Sequence, residues 1–159
     1  MSFISYKIPS FVNRFDFSNN VLRFHFDEGS GTFVKDESGK GNDGSFTGNN
    51  VIWKAGDSTN GFDCKQSGFC LEFDSTDYVN VPDSDSLNIQ QNAVTIMGWF
   101  KPSVDVADMT DTFPLFIQKR PYQVGGYGGH FDSSNGKVNF QYCWSDSCSA
   151  IFSNTVFSA

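Results

Sequence analysis

The stretch VLRFHFDEGSGTFVKDESGKGNDG, residues Val21–Gly44, decides how the rest of this sequence is interpreted. In the predicted strand Val21–Phe26, the apolar residues Leu22, Phe24 and Phe26 alternate with Arg23 and His25, which is the period-2 pattern of a half-buried β-strand. The remainder is rich in Asp, Glu, Asn and Gly, residue types that form turns and whose oxygens can converge on one point. The stretch therefore predicts a strand followed by a long, acidic, turn-forming loop.

Length and composition favour a single β-rich domain. A chain of 159 residues is long enough to bury one core. Its 18 Phe and 15 Gly are spread along the chain, and few long apolar runs occur, which favours a β-sandwich over a helix bundle. No window shows the 3.6-residue periodicity of an amphipathic helix.

The charge balance excludes one large class of partners. A net charge of −7 leaves nothing to neutralise a row of phosphates, so we expect no nucleic-acid binding. No stretch approaches the roughly 20 apolar residues of a membrane helix. The first twenty residues lack a continuous apolar core, so they do not form a signal peptide as written.

The four cysteines lie in two local pairs, Cys64 with Cys70 and Cys143 with Cys148. Neither spacing is typical of a zinc knuckle, and the chain has only two histidines, so we do not expect a structural zinc site. Three disulfide connectivities are open, and we expect the local one; four reduced, buried thiols are the alternative. Disulfides indicate an oxidising compartment, although no export signal is present, which a processed or incomplete chain would explain.

Beyond the acidic loop the sequence predicts a series of short strands. They are Val51–Lys54, Phe69–Phe73, Tyr78–Val81, Ala93–Lys101, Phe113–Lys119, Gln123–Phe131, Val138–Cys143 and Ser149–Phe152. We expect Ala93–Lys101 to be a central strand with Trp99 in the core. The GGYGGHF motif before Asp132 predicts a bulge or a close backbone approach. The polar segment Asp83–Gln91 has room for one short helical turn, and Phe3–Phe17 is expected to be an edge strand or extended arm.

Four segments in one order carry a family resemblance: FDEGSGT (26–32), DESGKGNDG (36–44), LEFDSTDYVNVPDSDSLN (71–88) and VTIMGWFKP (94–102). Together they resemble the laminin-G-like jelly roll of the concanavalin A-like lectin/glucanase superfamily, over about residues 20–152. The resemblance implies an all-β, antiparallel, two-sheet jelly-roll sandwich over residues 20–159, after an N-terminal arm or edge strand at 1–19. It also implies a secreted or cell-surface module. Many relatives bind carbohydrate, some bind proteins, and a calcium ion beside the loops is frequent.

The sequence departs from this family in two places. Such domains usually continue after the hairpin near Cys143–Cys148 with further strands, which this chain lacks. A sandwich without its last strands exposes apolar surface and unpaired edges. We therefore expect that missing C-terminal sequence, the Phe3–Val12 arm or a partner's strand completes the sheet. The second departure is the Cys64–Cys70 pair, an addition to a turn that usually holds without it.

A calcium site is the sharpest prediction for the loops. A hard cation takes about six to eight oxygen ligands in a flexible loop. Glu28, Asp36 and Asn42 of the acidic loop, with Asp74 of the Leu71–Asn88 segment, would supply them if the two loops meet. The alternative is that these residues only stabilise turns by bonding their own backbone.

An aromatic surface with polar neighbours is the second predicted site. A sugar ring stacks its C–H face on an aromatic side chain and forms hydrogen bonds at its rim. Trp144, Tyr122, Tyr127 and His130 are the candidates for such a ligand-binding site. Trp144, expected at a hairpin tip, is equally suited to contact another protein subunit.

Catalysis is not predicted. Glu72 and Asp74 share a face by alternation, and retaining glycosidases use two carboxyls about 5–5.5 Å apart. However, Asp74 falls where the strand ends, and neither His25 nor His130 accompanies a Ser or Cys nucleophile signature. The sequence thus predicts a non-catalytic extracellular recognition or adhesion module for carbohydrate or a matrix protein. The alternative is a structural building block of an extracellular filament, coat or larger assembly.

Overall fold

The structure, a computed structural model, describes residues 17–56, 64, 68–74, 76–89, 94–110, 115–119, 126–144 and 147–156. These residues form an all-β chain in which every strand pair is antiparallel. Its only helical elements in these ranges are three single 3₁₀ turns, at Phe17–Asn19, Asp85–Leu87 and Val106–Asp108. Within the same ranges, no helix has the length and apolar character needed to cross a membrane. The chain divides into an N-terminal unit, Met1–Ser86, and a C-terminal unit, Leu87–Ala159.

The N-terminal unit contains five short strands in two sheets. They are β1 (Phe33–Val34), β2 (Gly44–Thr47), β3 (Ile52–Ala55), β4 (Phe69–Glu72) and β5 (Tyr78–Asn80). One sheet has the order β1-β2-β5, and the other pairs β3 with β4. Val34 is fully buried, and a Cβ atom at Gly44 would overlap the side chain of Val79 and lie 3.0 Å from that of Val34. The small residue therefore lets β1 and β5 pack closely on either side of β2.

The C-terminal unit contains one four-stranded sheet. Its strands are β6 (Leu115–Lys119), β7 (Tyr127–Asp132), β8 (Lys137–Trp144) and β9 (Ser147–Phe152), in the order β6-β7-β8-β9. Three rings pack in a row on one side of it. The centroids of Phe100 and Phe116 are 4.8 Å apart, and those of Phe116 and Phe131 are 5.3 Å apart.

The GGYGGHF motif does make the predicted close approach. A Cβ atom at Gly129 would overlap the ring of Phe116, so this ring packs directly against the backbone of β7. The register also shifts between Leu115 and Ile117 of β6. The irregularity thus lies in the neighbouring strand, while β7 and β8 pair without interruption from Tyr127 to Asp132.

Most predicted strands are confirmed to within two residues where the structure describes them. Two predicted strands, Phe113–Lys119 and Gln123–Phe131, can be compared only in part, because their first residues lie outside the described ranges. Their described strands begin at Leu115 and Tyr127. The single helical turn within Asp83–Gln91 is also confirmed. Both local disulfides are present, Cys64–Cys70 and Cys143–Cys148. Most of the predicted arm Phe3–Phe17 lies outside the described residues.

The predicted strand Val21–Phe26 is wrong. Residues 21–29 contain no strand, and Phe26 has φ of 57°, outside the extended region. The backbone of Arg23 bonds to the acidic loop instead of a strand. Its N–H donates to Asp36 Oδ1 at 3.0 Å, and its carbonyl accepts from Glu37 N–H at 2.9 Å. A carboxylate has therefore taken a hydrogen-bond position that a neighbouring strand would occupy.

The predicted central strand Ala93–Lys101 is also wrong for its described part, residues 94–101, which belong to no strand. Val94 and Ile96 are half-buried and Thr95 is exposed, so period-2 alternation is present. However, Met97 is 61% exposed and Trp99 is 81% exposed, so the expected burial of Trp99 is wrong as well. A β-forming sequence needs neighbouring strands to become a central strand, and propensity alone does not supply them.

Candidate functional site

The acidic loop is organised around the buried carboxylate of Asp36, which is 4% exposed. It accepts hydrogen bonds from the backbone N–H groups of Arg23, Ser38 and Asn42 at 2.9–3.0 Å, and from the Ser38 hydroxyl at 2.7 Å. Burial pushes the pKa of Asp36 upward, but these bonds favour the charged form more strongly, so its pKa lies below the ordinary value. Gly39 and Gly41, both with positive φ, let the chain turn around this carboxylate.

Asn42 connects the acidic loop to a distant part of the N-terminal unit. Its amide donates to the carbonyl of Val21 at 2.6 Å and to Ser86 Oγ at 2.8 Å. Its Oδ1 accepts from the Ser84 hydroxyl at 2.6 Å. Because Asn42 is only 3% exposed, these bonds compensate for removing its amide from water. Asn42 therefore positions the loop against the Ser84–Ser86 segment.

Lysine and arginine side chains partly neutralise the loop. Lys35 Nζ lies 2.7 Å from Asp43 Oδ2, and Arg23 lies 3.4 Å from Glu37. The hydrogen bond from Lys35 lowers the pKa of Asp43, and the same contact raises the pKa of Lys35. Two carboxylates of the loop, those of Glu37 and Asp43, are thus already paired with basic side chains.

The predicted calcium ligands do not gather at one point with open acceptors. Asp36 and Asn42 are neighbours, but both use their oxygens within the loop and its contacts. Glu28 Oε1 accepts from Lys35 N–H at 2.6 Å, and Oε2 is buried with no hydrogen-bond partner. Asp74 follows β4 and bonds Asn50 at 3.3 Å. Among the described residues no group of three or more His, Cys, Asp or Glu side chains is placed to hold a metal ion.

This arrangement matches the turn-forming alternative, and calcium stays a prediction. An ion at Asp36 would have to replace hydrogen bonds from three backbone N–H groups. The residues as folded therefore do not fit a cation without rearrangement of the loop.

Of the four predicted ligand-binding residues, the structure describes the side chains of Tyr127 and His130, and these two do not share a face of the sheet. Tyr122 and the side chain of Trp144 lie outside what the structure describes, although Trp144 is the last residue of β8. Tyr127 is 6% exposed, and this burial raises the pKa of its hydroxyl. His130 is half-buried three residues further along β7. Since side chains alternate along a regular strand, Tyr127 and His130 point to opposite faces.

The face of the sheet that carries His130 presents polar side chains from β8 beside it. Asn139 lies directly across from His130 on β8, and Gln141 follows two residues later on the same face. Asn139 is 8% exposed, and its Oδ1 is a buried acceptor with no hydrogen-bond partner. Asp132, at the end of β7, accepts from the Ser134 hydroxyl and from the Asn135 amide. These bonds lower its pKa, with the Ser134 hydroxyl as the largest cause.

The most exposed large apolar residue in the described chain is one that sequence reasoning assigned to the core. Trp99 presents 81% of its surface, and Met97 two residues before it presents 61%. Phe100 anchors the segment, because its ring packs against that of Phe116 at an interplanar angle of 46°. The same ring also lies against Gly98, where a Cβ atom would be 3.0 Å from it. The one feature of the sequence that could have indicated this exposure is Gly98 between Met97 and Trp99, and it is a weak signal.

The carboxylates considered for catalysis lie in ordinary structural positions. Glu72 ends β4 and its side chain forms an ion pair with Lys54 at 3.3 Å on the adjacent strand β3. Asp74 lies beyond the strand, as predicted, and its N–H donates to Asp77 Oδ2 at 3.2 Å. Cross-strand pairing accounts for Glu72 and turn formation for Asp74.

In comparisons with models of protein families, with curated proteins and with solved structures, nothing matched this chain.

Proposed function

We propose that this chain is a non-catalytic extracellular recognition module that binds carbohydrate through Trp99. The observation that carries the proposal is the 81% exposure of this indole on a segment anchored by Phe100. An indole in water costs free energy that a stacked ligand would recover. The laminin-G-like jelly roll inferred from the four sequence segments is the fold we propose for the module.

The chemistry around Trp99 favours a neutral glycan. A sugar offers an apolar C–H face to an aromatic ring and hydroxyl groups at its rim, and Met97 extends the apolar surface beside the indole. The net charge of −7 disfavours sulfated or sialylated ligands, which would be repelled by the field of the whole chain. We therefore propose neutral oligosaccharides as the ligand class.

Cysteine chemistry supports the proposed location. Both cysteine pairs are joined, and no free cysteine occurs in the described residues. Disulfides persist in oxidising compartments, so an extracellular or cell-surface site of action agrees with them.

A glycan array followed by titration of the strongest neutral hit tests the proposal. We expect Trp99→Ala to weaken binding at least tenfold, since aromatic anchors dominate such contacts. The free energy of unfolding of Trp99→Ala should differ from wild type by less than about 0.5 kcal/mol, as expected for an exposed side chain. Truncation of a tryptophan in the core would instead cost about 3–5 kcal/mol. Chemical denaturation in urea measures that difference.

Tyr78→Ala is the matched control, because Tyr78 is an aromatic residue of β5 that is 52% exposed. It should leave glycan binding unchanged. An array with no neutral hits, or a Trp99→Ala variant that binds as well as wild type, would reject the proposal. If Trp99→Ala abolished binding to a protein and left glycan binding unchanged, Trp99 would belong to a protein interface.

A second function, a structural subunit of an extracellular assembly, is favoured by a different observation. Strand β9 lies at the end of its sheet and exposes Ile151 to 70% and Phe152 to 49%. Exposed apolar residues on an edge strand are typical of a surface that contacts another subunit. Self-association that depends on β9 would distinguish this function from glycan recognition.

A further inference from the structure

Strand β9 ends the order β6-β7-β8-β9, and no described strand pairs with its outer edge. We propose that this edge pairs with the same edge of a second copy of the chain, in an antiparallel arrangement about a two-fold axis. The proposal deepens the second candidate function and is independent of the Trp99 surface.

The hydrogen bonds between β8 and β9 show which backbone groups face outward. Ser153 N–H donates to the Val138 carbonyl at 2.8 Å, and Val138 N–H donates back to Ser153 Oγ at 3.1 Å. In an antiparallel ladder, hydrogen-bonded and non-hydrogen-bonded pairs alternate. Counting back in steps of two from Ser153, the backbone groups of Ile151 and Ser149 therefore face β8.

The residues that alternate with them have their N–H and C=O groups on the outer edge: Cys148, Ala150 and Phe152. The disulfide gives independent support for this parity. The Cα atoms of Cys143 and Cys148 are 4.0 Å apart, which fits a non-hydrogen-bonded pair at about 4.5 Å and not a hydrogen-bonded pair at about 5.5 Å. The outer edge of β9 is thus a regular row of donors and acceptors.

This edge lacks the features that usually prevent strand pairing. Natural edge strands carry lysines, prolines or bulges that block a further strand. Ser147–Phe152 contains no proline or charged residue, and its register with β8 is unbroken. Ile151 and Phe152 are exposed on opposite faces, so an added strand would cover apolar surface on both sides.

The distribution of charge favours a second copy as the occupant. About a two-fold axis, a charged residue near the centre of the contact would face its own counterpart, and like charges directly opposite are destabilising. The segment Ser147–Ala159 has no Asp, Glu, Lys or Arg, although the chain has a net charge of −7. Two acidic copies can therefore approach at this edge, while the remaining charge opposes contact elsewhere.

The geometry places Ala150 at the centre of the contact. Its outward N–H and C=O would bond the same groups of Ala150 in the second copy, and Cys148 would lie opposite Phe152. The two four-stranded sheets would then continue as one sheet across the interface. Ala150 has a small side chain on the exposed surface, so it does not hinder this approach.

Sedimentation velocity on the full chain over a range of concentrations tests the proposal. We expect wild type to show a concentration-dependent dimer. Ala150→Pro removes one outward N–H and leaves the ladder to β8 intact, so it should raise the dimer dissociation constant at least tenfold. Ala150→Ser keeps the N–H and should dimerise like wild type.

Ile151→Lys provides a second measurement that does not depend on proline. It places two like charges near each other, so the dimer should weaken at low salt and recover at high salt. A wild type that stays monomeric overturns the proposal, as does a dimer unaffected by Ala150→Pro. A monomeric wild type destabilised by Ala150→Pro would show that a segment of the same chain occupies the edge. Glycan binding by the Ala150→Pro monomer separates this result from the test of Trp99.

Discussion

The acidic loop and the four-stranded sheet satisfy their backbone hydrogen bonds in opposite ways. In the loop, the carboxylate of Asp36 accepts from three N–H groups, two of them in the loop itself and one from Arg23. In the sheet, strands β7 and β8 pair residue by residue over six positions. In the loop, several backbone N–H groups bond to one buried carboxylate, whereas in the sheet each bonds to a separate carbonyl of the neighbouring strand.

The difference predicts where each region is vulnerable. A ladder loses little when one position changes, because the neighbouring hydrogen bonds remain. A loop built around one carboxylate loses several bonds together when that group changes, and each buried donor left unpaired costs about 1–3 kcal/mol. The loop should therefore be sensitive to chemistry at Asp36, and the sheet to steric changes in its packing.

Asp36→Asn is expected to have the largest effect. The amide has nearly the size of the carboxylate, but its NH₂ group would face donors from Ser38 and Asn42. We expect a loss of about 3 kcal/mol in the free energy of unfolding, measured by urea denaturation.

Glu37→Gln is the matched control for that variant. It removes the same charge from the adjacent, solvent-exposed position, whose side chain contacts Arg23 and His25. Its effect should stay within about 0.5 kcal/mol. Equal losses for the two variants would contradict the central role of Asp36.

Gly129→Ala tests the sheet and should have a smaller effect. The new methyl group would overlap the Phe116 ring, and overpacking of this kind costs about 1–3 kcal/mol. In a Phe116→Leu background, where the ring is gone, Gly129→Ala should cost less free energy of unfolding than it does in wild type. Additive losses in this double-mutant cycle would show that the ring and Gly129 do not interact.

Acidification should weaken the loop progressively. The pKa of Asp36 is lower in the folded chain than its ordinary value, so the unfolded chain binds more protons as the pH falls. Its contribution is complete above about pH 5 and is lost as the pH falls through the folded pKa. Wild-type stability should therefore decrease below about pH 5, and Asp36→Asn should flatten this profile. A residual slope is expected from Asp43 and Asp132, whose pKa values are also lowered. An identical slope in the variant would exclude Asp36 as a source.

Local patterns predicted much of the fold. Short alternating runs bounded by turn residues located the strands at Ile52–Ala55, Phe69–Glu72 and Tyr78–Asn80, and the hairpin of β8 and β9. Close cysteine spacing predicted both disulfides. These features depend on contacts between residues near each other in sequence, so a local pattern carries enough information.

The failures share a different cause. Val21–Phe26 and Ala93–Lys101 both have strand-forming sequences, yet one bonds a carboxylate and the described part of the other pairs with no described strand. Tyr127 and His130 lie three residues apart, and strand parity separates them onto opposite faces. Trp99 was expected in the core because it lies beside Met97 in the middle of a predicted strand, but its exposure depends on what packs against that segment.

Local sequence patterns were enough to predict that this chain is built from short strands, that Asp, Asn and Gly form its acidic turn, and that its cysteines pair locally. Each of these follows from preferences of neighbouring residues. The burial of Asp36 at the centre of the loop, the exposure of Trp99 and the outward hydrogen-bonding groups on the edge of β9 became visible with the three-dimensional fold. These depend on contacts between distant residues, and the local pattern of either partner does not specify the other.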